Sequence, residues 1–140
     1  MAQTQNQGPA GQAGGAAATG LATEQVAKGR IVFLNALPLN ALPRRHIQLD
    51  VIPVTLQELA SWVQRRLQEG YEVVQYVRHP ATIAALRATG IPLNEQPNAG
   101  LYTYSYGDVI VVVSLRNPSR GQEVQQVSPQ DLEMWIVTVL

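Results

Sequence analysis

Apolar and polar positions recur along the chain with two spacings, and each spacing predicts one type of element. Apolar runs rich in β-branched or aromatic residues, some of them alternating with polar ones, predict strands. These runs lie at 30–34, 46–54, 71–77, 101–106, 109–115 and 135–139. Helical spacing of apolar residues predicts helices at 55–69 and 80–88, and a capping signal predicts a short helix near 128–131. This mixed order predicts a single α/β domain, a mixed sheet of about five strands with helices mainly on one face.

Local signals mark the ends of several elements. Residues 55–58 carry the Thr-x-x-Glu pattern of a capping box, which predicts a helix start. Pro53 cannot donate to a neighbouring strand, so it predicts that its own strand lies at a sheet edge. Gly-Asp at 107–108 lies between two apolar runs and predicts a hairpin. The second strand of that hairpin, 109–115, is apolar enough to be central in the sheet.

The first 27 residues differ in composition from the rest of the chain. They are mainly Gly, Ala, Gln and Thr, with almost no large apolar side chain. Such a segment cannot offset its ordering entropy by burial, so residues 1–27 are predicted to be a disordered tail and residues 28–140 the folded domain. No apolar stretch approaches the roughly 20 residues of a membrane-spanning helix, and no secretory signal is visible. We therefore expect a cytoplasmic protein without a membrane partner.

Composition excludes several kinds of site. The chain has no cysteine, which rules out disulfides and thiolate metal sites, and its two histidines, His46 and His79, do not suggest a metal centre. The formal net charge is +0, so no overall field attracts the chain to duplex nucleic acid. Nine of the ten basic residues are arginine, which binds phosphate in bidentate geometry. A local anion site is therefore compatible with the neutral charge.

The stretch YVRHPATIAA, residues 76–85, joins a predicted strand to a predicted helix. Pro80 suits the first helical position, which makes His79 the N-cap residue. Free backbone N–H groups and the helix dipole favour an anion at such a corner, and an ionisable imidazole there suits phosphate chemistry. The alternative is a surface N-cap without a role. His46, on the polar side of its strand, is expected to be solvated.

Two polar loops follow predicted strands at their carboxyl ends, where ligands collect in α/β sheets. Residues 35–43 contain two asparagines and two prolines, which predicts a shaped loop or else a plain connection. Residues 116–121 bring two arginines to a second loop, suited to phosphate or ribose, or else simply solvated. The hairpin tyrosines would share one face and serve cross-strand packing or base stacking; they are Tyr102, Tyr104 and Tyr106.

Several known catalytic sequence patterns are absent, and acid catalysis by His79 is the candidate chemistry that remains. The chain has no nucleophile elbow and no Walker or Rossmann glycine pattern. Glu69, Glu72 and Asp108 lie at predicted turns or strand starts, where we expect them to be solvated. Acid catalysis by His79 could cleave RNA without a metal, because the RNA supplies its own 2′-hydroxyl nucleophile. The enzyme then has to align the attack, stabilise the charged phosphorane and protonate the leaving 5′-oxygen.

Two stretches resemble motifs of a viral protein family, the type III anti-CRISPR ring nucleases. FLNALPLNALP, residues 33–43, resembles the opening strand and loop of that family. HPATI, residues 79–83, resembles its G-H-[DE]-[SA]-T-like turn. The predicted order that follows is also similar: a hairpin, a polar loop with glycine, a short helix and a terminal strand with tryptophan. The resemblance covers about residues 30–140.

The resemblance implies a homodimer that engulfs cyclic tetra-adenylate, the second messenger of type III CRISPR complexes. Such proteins use no metal or other cofactor and cut the ring into linear di-adenylate carrying a 2′,3′-cyclic phosphate. They thereby antagonise type III CRISPR immunity in the infected or host prokaryotic cell. The family's general acid falls on His79. The implied ligand-binding positions are Asn35, Ala36, Leu37, Pro38, Asn40, Arg78, Thr82, Ser114, Arg116, Asn117 and Arg120.

The chain departs from the family pattern at several of these positions. Relatives often have serine in place of Pro38, glutamine near Ser114 and glycine in place of Arg78, and their loop arginine and glutamate fall near residues 116–120. The changes at Pro38 and Ser114 favour a second hypothesis, a binding module that sequesters a cyclic nucleotide, or senses it, without cleavage. A third hypothesis is a viral structural or interaction protein that kept only the fold.

Overall fold

A five-stranded sheet with two helices carries the fold of the computed structural model, which describes residues 27–116 and 127–140. The strands are β1 (Arg30–Leu34), β2 (Leu49–Val54), β3 (Glu72–Gln75), β4 (Asp108–Leu115) and β5 (Leu132–Val139). The helices are α1 (Leu56–Gln68) and α2 (Pro80–Ala88), and single 3₁₀ turns lie at Leu39–Ala41 and Pro129–Asp131. The predicted tail, apart from Ala27, lies outside the described residues.

The strands follow the order β2-β5-β4-β1-β3 across the sheet. β1 pairs in parallel with β3 and β4, whereas β5 pairs antiparallel with β4 and β2. β1 to β4 therefore all run in one direction, and their C-terminal ends open at the same end of the sheet, here called the carboxyl edge. The predicted mixed α/β sheet is confirmed, with β4 in its centre and β2, which contains Pro53, at one side.

The two faces of the sheet are covered differently. On one, the helix face, Leu59 of α1 and Leu86 of α2 pack against Phe33 of β1 and Val111 of β4. On the other, the loop face, irregular segments supply part of the cover, and the buried side chains are Val32, Leu34, Ala41, Leu42, Tyr102, Ile110 and Val137. The prediction of helices mainly on one face is confirmed. Neither helix in the described part of the chain is long and apolar enough to cross a membrane.

The first helix begins where the local sequence predicted. Thr55 Oγ1 accepts from Glu58 N at 3.1 Å, and Glu58 Oε1 accepts from Thr55 N at 2.8 Å, which is the predicted capping box. Gly70 follows the helix with a φ of +101°, a conformation that glycine adopts without a steric cost. Both signals depend on residues only a few positions apart, so no tertiary contact is needed to specify them.

The predicted hairpin is wrong. Residues 101–106 form no strand, and β4 begins at Asp108 directly after a turn. β1 and β5 occupy both sides of β4, so no side of it is left to pair with a hairpin partner. Tyr104 N donates instead to Ala41 O at 2.9 Å. The tyrosines do not share one face, because Tyr102 is 5% exposed and Tyr106 is 100% exposed.

A buried carboxylate joins the first residues of β1 and β4. Asp108 is 4% exposed, so the expectation that it is solvated is wrong. Arg30 donates to its two oxygens from Nε and Nη2 at 2.8 and 2.7 Å. Tyr102 Oη and Ser105 N donate to Oδ2 at 2.7 and 2.9 Å. These four hydrogen bonds, here called the Asp108 network, offset the cost of burying the charge.

Asp108→Asn should lower the free energy of unfolding, and the size of this loss should depend on pH. Burial raises the pKa of Asp108, but hydrogen bonds from Arg30, Tyr102 and the Ser105 N–H outweigh it, so this pKa lies below its ordinary value of 3.8. The unfolded carboxyl therefore takes up its proton at a higher pH than the folded one. The stabilisation is complete above that ordinary value and is lost as the pH falls through the folded pKa.

Urea unfolding of the wild type and Asp108→Asn between pH 6 and about pH 2.5 tests this dependence. We expect the variant to be less stable at pH 6, and the difference in free energy of unfolding to shrink as the pH falls below about 4. A difference that stays constant over this range would contradict the account of the carboxylate.

Leu59→Ala should destabilise the fold by about 2–5 kcal/mol, because Leu59 is 0% exposed and its truncation leaves a cavity between α1 and the sheet. Leu101→Ala is the matched control, since Leu101 is 88% exposed and should change the free energy of unfolding by less than about 0.5 kcal/mol. Urea unfolding followed by tryptophan fluorescence measures both, and equal effects would contradict the assigned core.

Candidate functional site

The segment between β3 and α2 forms the predicted strand-to-helix corner. His79 is the N-cap of α2, with φ −76° and ψ 113°, and Pro80 occupies the first turn. Proline suits this position because its missing N–H would have no partner in the helix. The corner lies at the carboxyl edge of the sheet, so the amino end of α2, with its positive dipole end, faces the same region as the neighbouring loops.

The imidazole of His79 does not cap its own helix. Its Nδ1 lies 2.8 Å from Thr82 Oγ1, and no side chain caps the first turn of α2. Thr82 is 2% exposed, so its hydroxyl is a fixed partner, whereas the His79 side chain is half-buried. No other described residue hydrogen-bonds the imidazole, which leaves Nε2 as the ring nitrogen that can meet a ligand. A hydroxyl can donate or accept, so Thr82 can hold the ring in either charge state.

Asn35 joins the loop after β1 to the loop that carries His79. Its Oδ1 accepts from Arg78 N at 3.2 Å. The two loops leave the sheet side by side because β1 and β3 are parallel neighbours, and Tyr76 N still donates to Phe33 O at 2.8 Å. The structure therefore brings Asn35, Arg78 and His79 together, although 43 residues separate Asn35 from Arg78.

The loop 35–43 has a fixed shape. Ala41 N donates to Pro38 O at 3.0 Å, and Leu42 N donates to Leu39 O at 3.2 Å, which closes a single 3₁₀ turn. Ala41 and Leu42 are buried on the loop face, and Leu37 is partly buried against the same cluster. The other residues of this loop that were predicted to bind a ligand are exposed: Asn35, Ala36, Pro38 and Asn40. A buried anchor with exposed polar residues is a suitable arrangement for backbone and amide contacts to a ligand.

Arg116 follows β4 at the carboxyl edge but does not reach His79 through any contact. Its guanidinium donates to Gln130 O at 3.0 Å and to Leu132 O at 3.3 Å, and it pairs with Glu133 at 3.1 Å. These groups all lie towards β5, whereas β1 separates β4 from β3 by two strand spacings, about 10 Å.

Of the other predicted site residues, Ser114 and Arg78 are in the described part of the chain. Ser114 is half-buried in β4, opposite Glu133 of β5. Arg78 is exposed, and no carboxylate of the described chain forms a salt bridge with it. Asn117 and Arg120 lie outside the described residues. Within residues 27–116 and 127–140, no group of three or more His, Asp or Glu side chains is placed to hold a metal ion.

The corner lies at the surface of the described chain, where Arg78 and Pro80 are exposed and His79 is half-buried. One groove of about 790 Å³ lies elsewhere, between α1 and the strands β2 and β5, and its lining includes Trp62, Arg66 and Tyr71 but none of the predicted site residues. An exposed corner does not by itself exclude water from a reaction. A ligand bound at His79 would therefore need a further surface to enclose it.

The sequence did not predict that Tyr102, Arg30 and Asp108 support the site loops. Tyr102 is buried on the loop face and its ring lies 5.8 Å from that of Tyr76, which precedes the His79 loop. The missed signal is the pair of charged residues that open two apolar strands, Arg30 and Asp108. Their pairing depends on strand order, which the sequence pattern did not supply.

No protein-family model matches the chain, and no curated protein sequence matches it. Among solved structures, the chain is similar to B116 of Sulfolobus turreted icosahedral virus, with a TM-score of 0.61 and 18% sequence identity. The similarity covers 78% of this chain and 98% of B116. At this level of identity the comparison establishes the fold alone, and the fold described here is therefore one that a viral protein also has.

Proposed function

We propose that this chain is a metal-independent ring nuclease, a phosphodiesterase that cleaves cyclic tetra-adenylate and thereby antagonises type III CRISPR immunity. The observation that carries the proposal is the His79 imidazole, fixed at the amino end of α2 by Thr82 and left with one ring nitrogen for a ligand. The motif residue Asn35 lies beside it, bonded to Arg78 N. The products are linear di-adenylate molecules ending in a 2′,3′-cyclic phosphate.

The reaction assigns one proton to His79. The 2′-hydroxyl of an adenylate gives its proton to water as its oxygen bonds to the adjacent phosphorus, and the bond from phosphorus to the 5′-oxygen breaks. In this step His79 is protonated at both nitrogens and gives the Nε2 proton to the leaving 5′-oxygen, while Nδ1–H donates to Thr82 Oγ1. The ring takes up a proton from water again before the next turnover. General acid catalysis of this kind contributes about 10²- to 10⁴-fold to a rate. Thr82 thus acts by holding the ring, and its own contact with the ligand is secondary.

Positive charge for the phosphorane comes from two sources at the corner. Arg78 is adjacent to His79 and forms no salt bridge within the described chain. The amino end of α2 adds its dipole and is not capped by a side chain. Arg116 is held by Glu133 and two carbonyl groups, so it would have to leave them to contact the phosphate.

A second copy of the chain completes the site in this proposal. The corner of one chain is open, whereas a reaction that protonates a leaving oxygen gains from exclusion of water. A two-fold dimer would place two His79 residues on opposite sides of a ring that itself has two-fold related phosphates. The loop 35–43 of each chain, together with Ser114, Asn117 and Arg120, would supply the remaining ligand contacts.

The similarity to B116 supports the viral part of the proposal only. B116 is a protein of a Sulfolobus virus, and the sequence motifs resemble a family of viral proteins. The shared fold and the sequence motifs are separate observations, and both support a viral origin of this chain.

A sequestering protein is the second candidate, and the commitment of Arg116 to Glu133 favours it. Without that arginine the corner has fewer positive charges to stabilise the transition state of cleavage. Binding of the uncleaved ring depends less on those charges. Native mass spectrometry that finds the intact ring retained in stoichiometric amounts, with no product, would select this candidate.

Purified protein in EDTA should convert cyclic tetra-adenylate to linear di-adenylate with a 2′,3′-cyclic phosphate, as followed by chromatography and mass spectrometry. His79→Ala should lower the rate by at least about 100-fold, because it removes the general acid, while calorimetry finds ligand binding retained. An intact ring after prolonged single-turnover incubation with the wild type would reject the proposal.

His46→Ala is the matched control for this experiment. His46 is exposed in the segment before β2 and forms no hydrogen bond that links it to the corner. We expect it to cleave at the wild-type rate. An equal loss in both variants would mean that neither imidazole is the specific proton donor.

Thr82→Val should lower kcat by about 10- to 100-fold with a smaller change in KM, because the ring loses its fixed orientation and the volume of the side chain is kept. Thr89→Val, at the other end of α2, is the control, since Thr89 Oγ1 donates only to Leu86 O at 2.7 Å. Steady-state cleavage measures both, and an unaltered kcat in Thr82→Val would contradict the role of this hydroxyl.

A further inference from the structure

We infer that the Asp108 network positions the two loops of the candidate site from the opposite end of the sheet, with Tyr102 as the positioning residue. This inference rests on the proposed function for its kinetic consequence but not for its structural one. The network lies at the first residues of β1 and β4, where Arg30 and Asp108 are direct partners in the parallel ladder. The site loops follow β1 and β3 and leave the sheet at the opposite end, the carboxyl edge.

Tyr102 connects the two ends. Its hydroxyl donates to Asp108 Oδ2 at 2.7 Å, and its ring packs on the loop face with Ala41 and Leu42, the buried anchor of the loop 35–43. The same ring lies 5.8 Å from the ring of Tyr76, at an interplanar angle of 59°, an edge-to-face type of contact. One side chain therefore shares a buried cluster with the anchor of the first loop and pairs with the ring of Tyr76, which leads into the second.

The backbone around Tyr102 repeats this connection. Ser105 N donates to Asp108 Oδ2 at 2.9 Å, and Tyr104 N donates to Ala41 O at 2.9 Å. Residues 101–106 belong to no strand, so no ladder holds them on the sheet. The Tyr102 hydroxyl and the Ser105 N–H bind the Asp108 carboxylate, and the Tyr104 N–H joins the same segment to the loop 35–43.

The carboxylate itself is held rigidly. Asp108 has a side chain only 1% exposed, and Arg30 grips both of its oxygens. Bidentate pairs of this type fix geometry as well as charge. The Arg30 guanidinium also lies 6.0 Å from the centre of the Tyr102 ring, within reach of a cation–π contact. The network thus fixes the tyrosine at both its hydroxyl and its ring.

Tyr102→Phe tests the inference because it removes the hydroxyl and keeps the ring. Hydrogen exchange of the wild type and the variant should show about 10-fold faster exchange at Tyr104 and Leu42, with α1 unchanged, since a hydrogen bond to a charged group is lost. In the cleavage assay the KM for cyclic tetra-adenylate should rise several-fold. A simple loss of folded protein would lower kcat and leave KM unaltered.

Tyr106→Phe is the matched control, because Tyr106 is 100% exposed and should behave as the wild type in both assays. Unchanged exchange at Tyr104 and Leu42 in Tyr102→Phe would overturn the inference, and so would faster exchange spread evenly over α1 and the sheet. If the wild type does not cleave the ring, the proposed function fails, and the exchange pattern still decides whether Tyr102 positions the loops.

Discussion

The parallel pairing of β1 with β3 is the constraint on which the candidate site depends. Phe33 pairs with Gln75, and one further bond, from Tyr76 N to Phe33 O, extends the ladder beyond β3. The two chains then leave the sheet together, which brings Asn35 Oδ1 to Arg78 N. A slip of one residue in this register would turn every side chain of β3 to the other face and separate the two loops. The site is therefore a consequence of sheet register.

The two faces of this sheet are stabilised by different means. On the helix face, α1 and α2 bury apolar side chains, and the backbone groups in the interior of each helix bond within that helix. Neither α1 nor α2 packs on the loop face, so the irregular segments that the structure describes there must find partners for their polar groups individually. For residues 101–106 these partners are the Asp108 carboxylate and the Ala41 carbonyl group. A charged group is thus buried because an irregular segment needs a fixed acceptor.

The predicted backbone structure of the strand-to-helix corner is confirmed, whereas Arg116 makes its contacts away from that corner. His79 as N-cap, with Pro80 after it, follows from local backbone preferences, and the structure agrees. Arg116 lies at the same edge of the sheet, but its guanidinium satisfies carbonyl groups and Glu133 on the β5 side. Whether a side chain at a strand end faces one neighbour or another depends on which strands adjoin it. A pattern of single residues does not contain that information.

The sequence by itself determined the features that are specified within a few residues. β1 was predicted at its observed bounds, Arg30–Leu34, and so were the capping box at Thr55 and the start of α2. Only the tertiary structure decided the partner of residues 101–106 and the burial of Asp108, whose bonds to Arg30 cross 78 residues of chain. Local preferences act through neighbouring dihedral angles and short hydrogen bonds, whereas such distant partners are chosen by strand order, which is settled when the whole core packs.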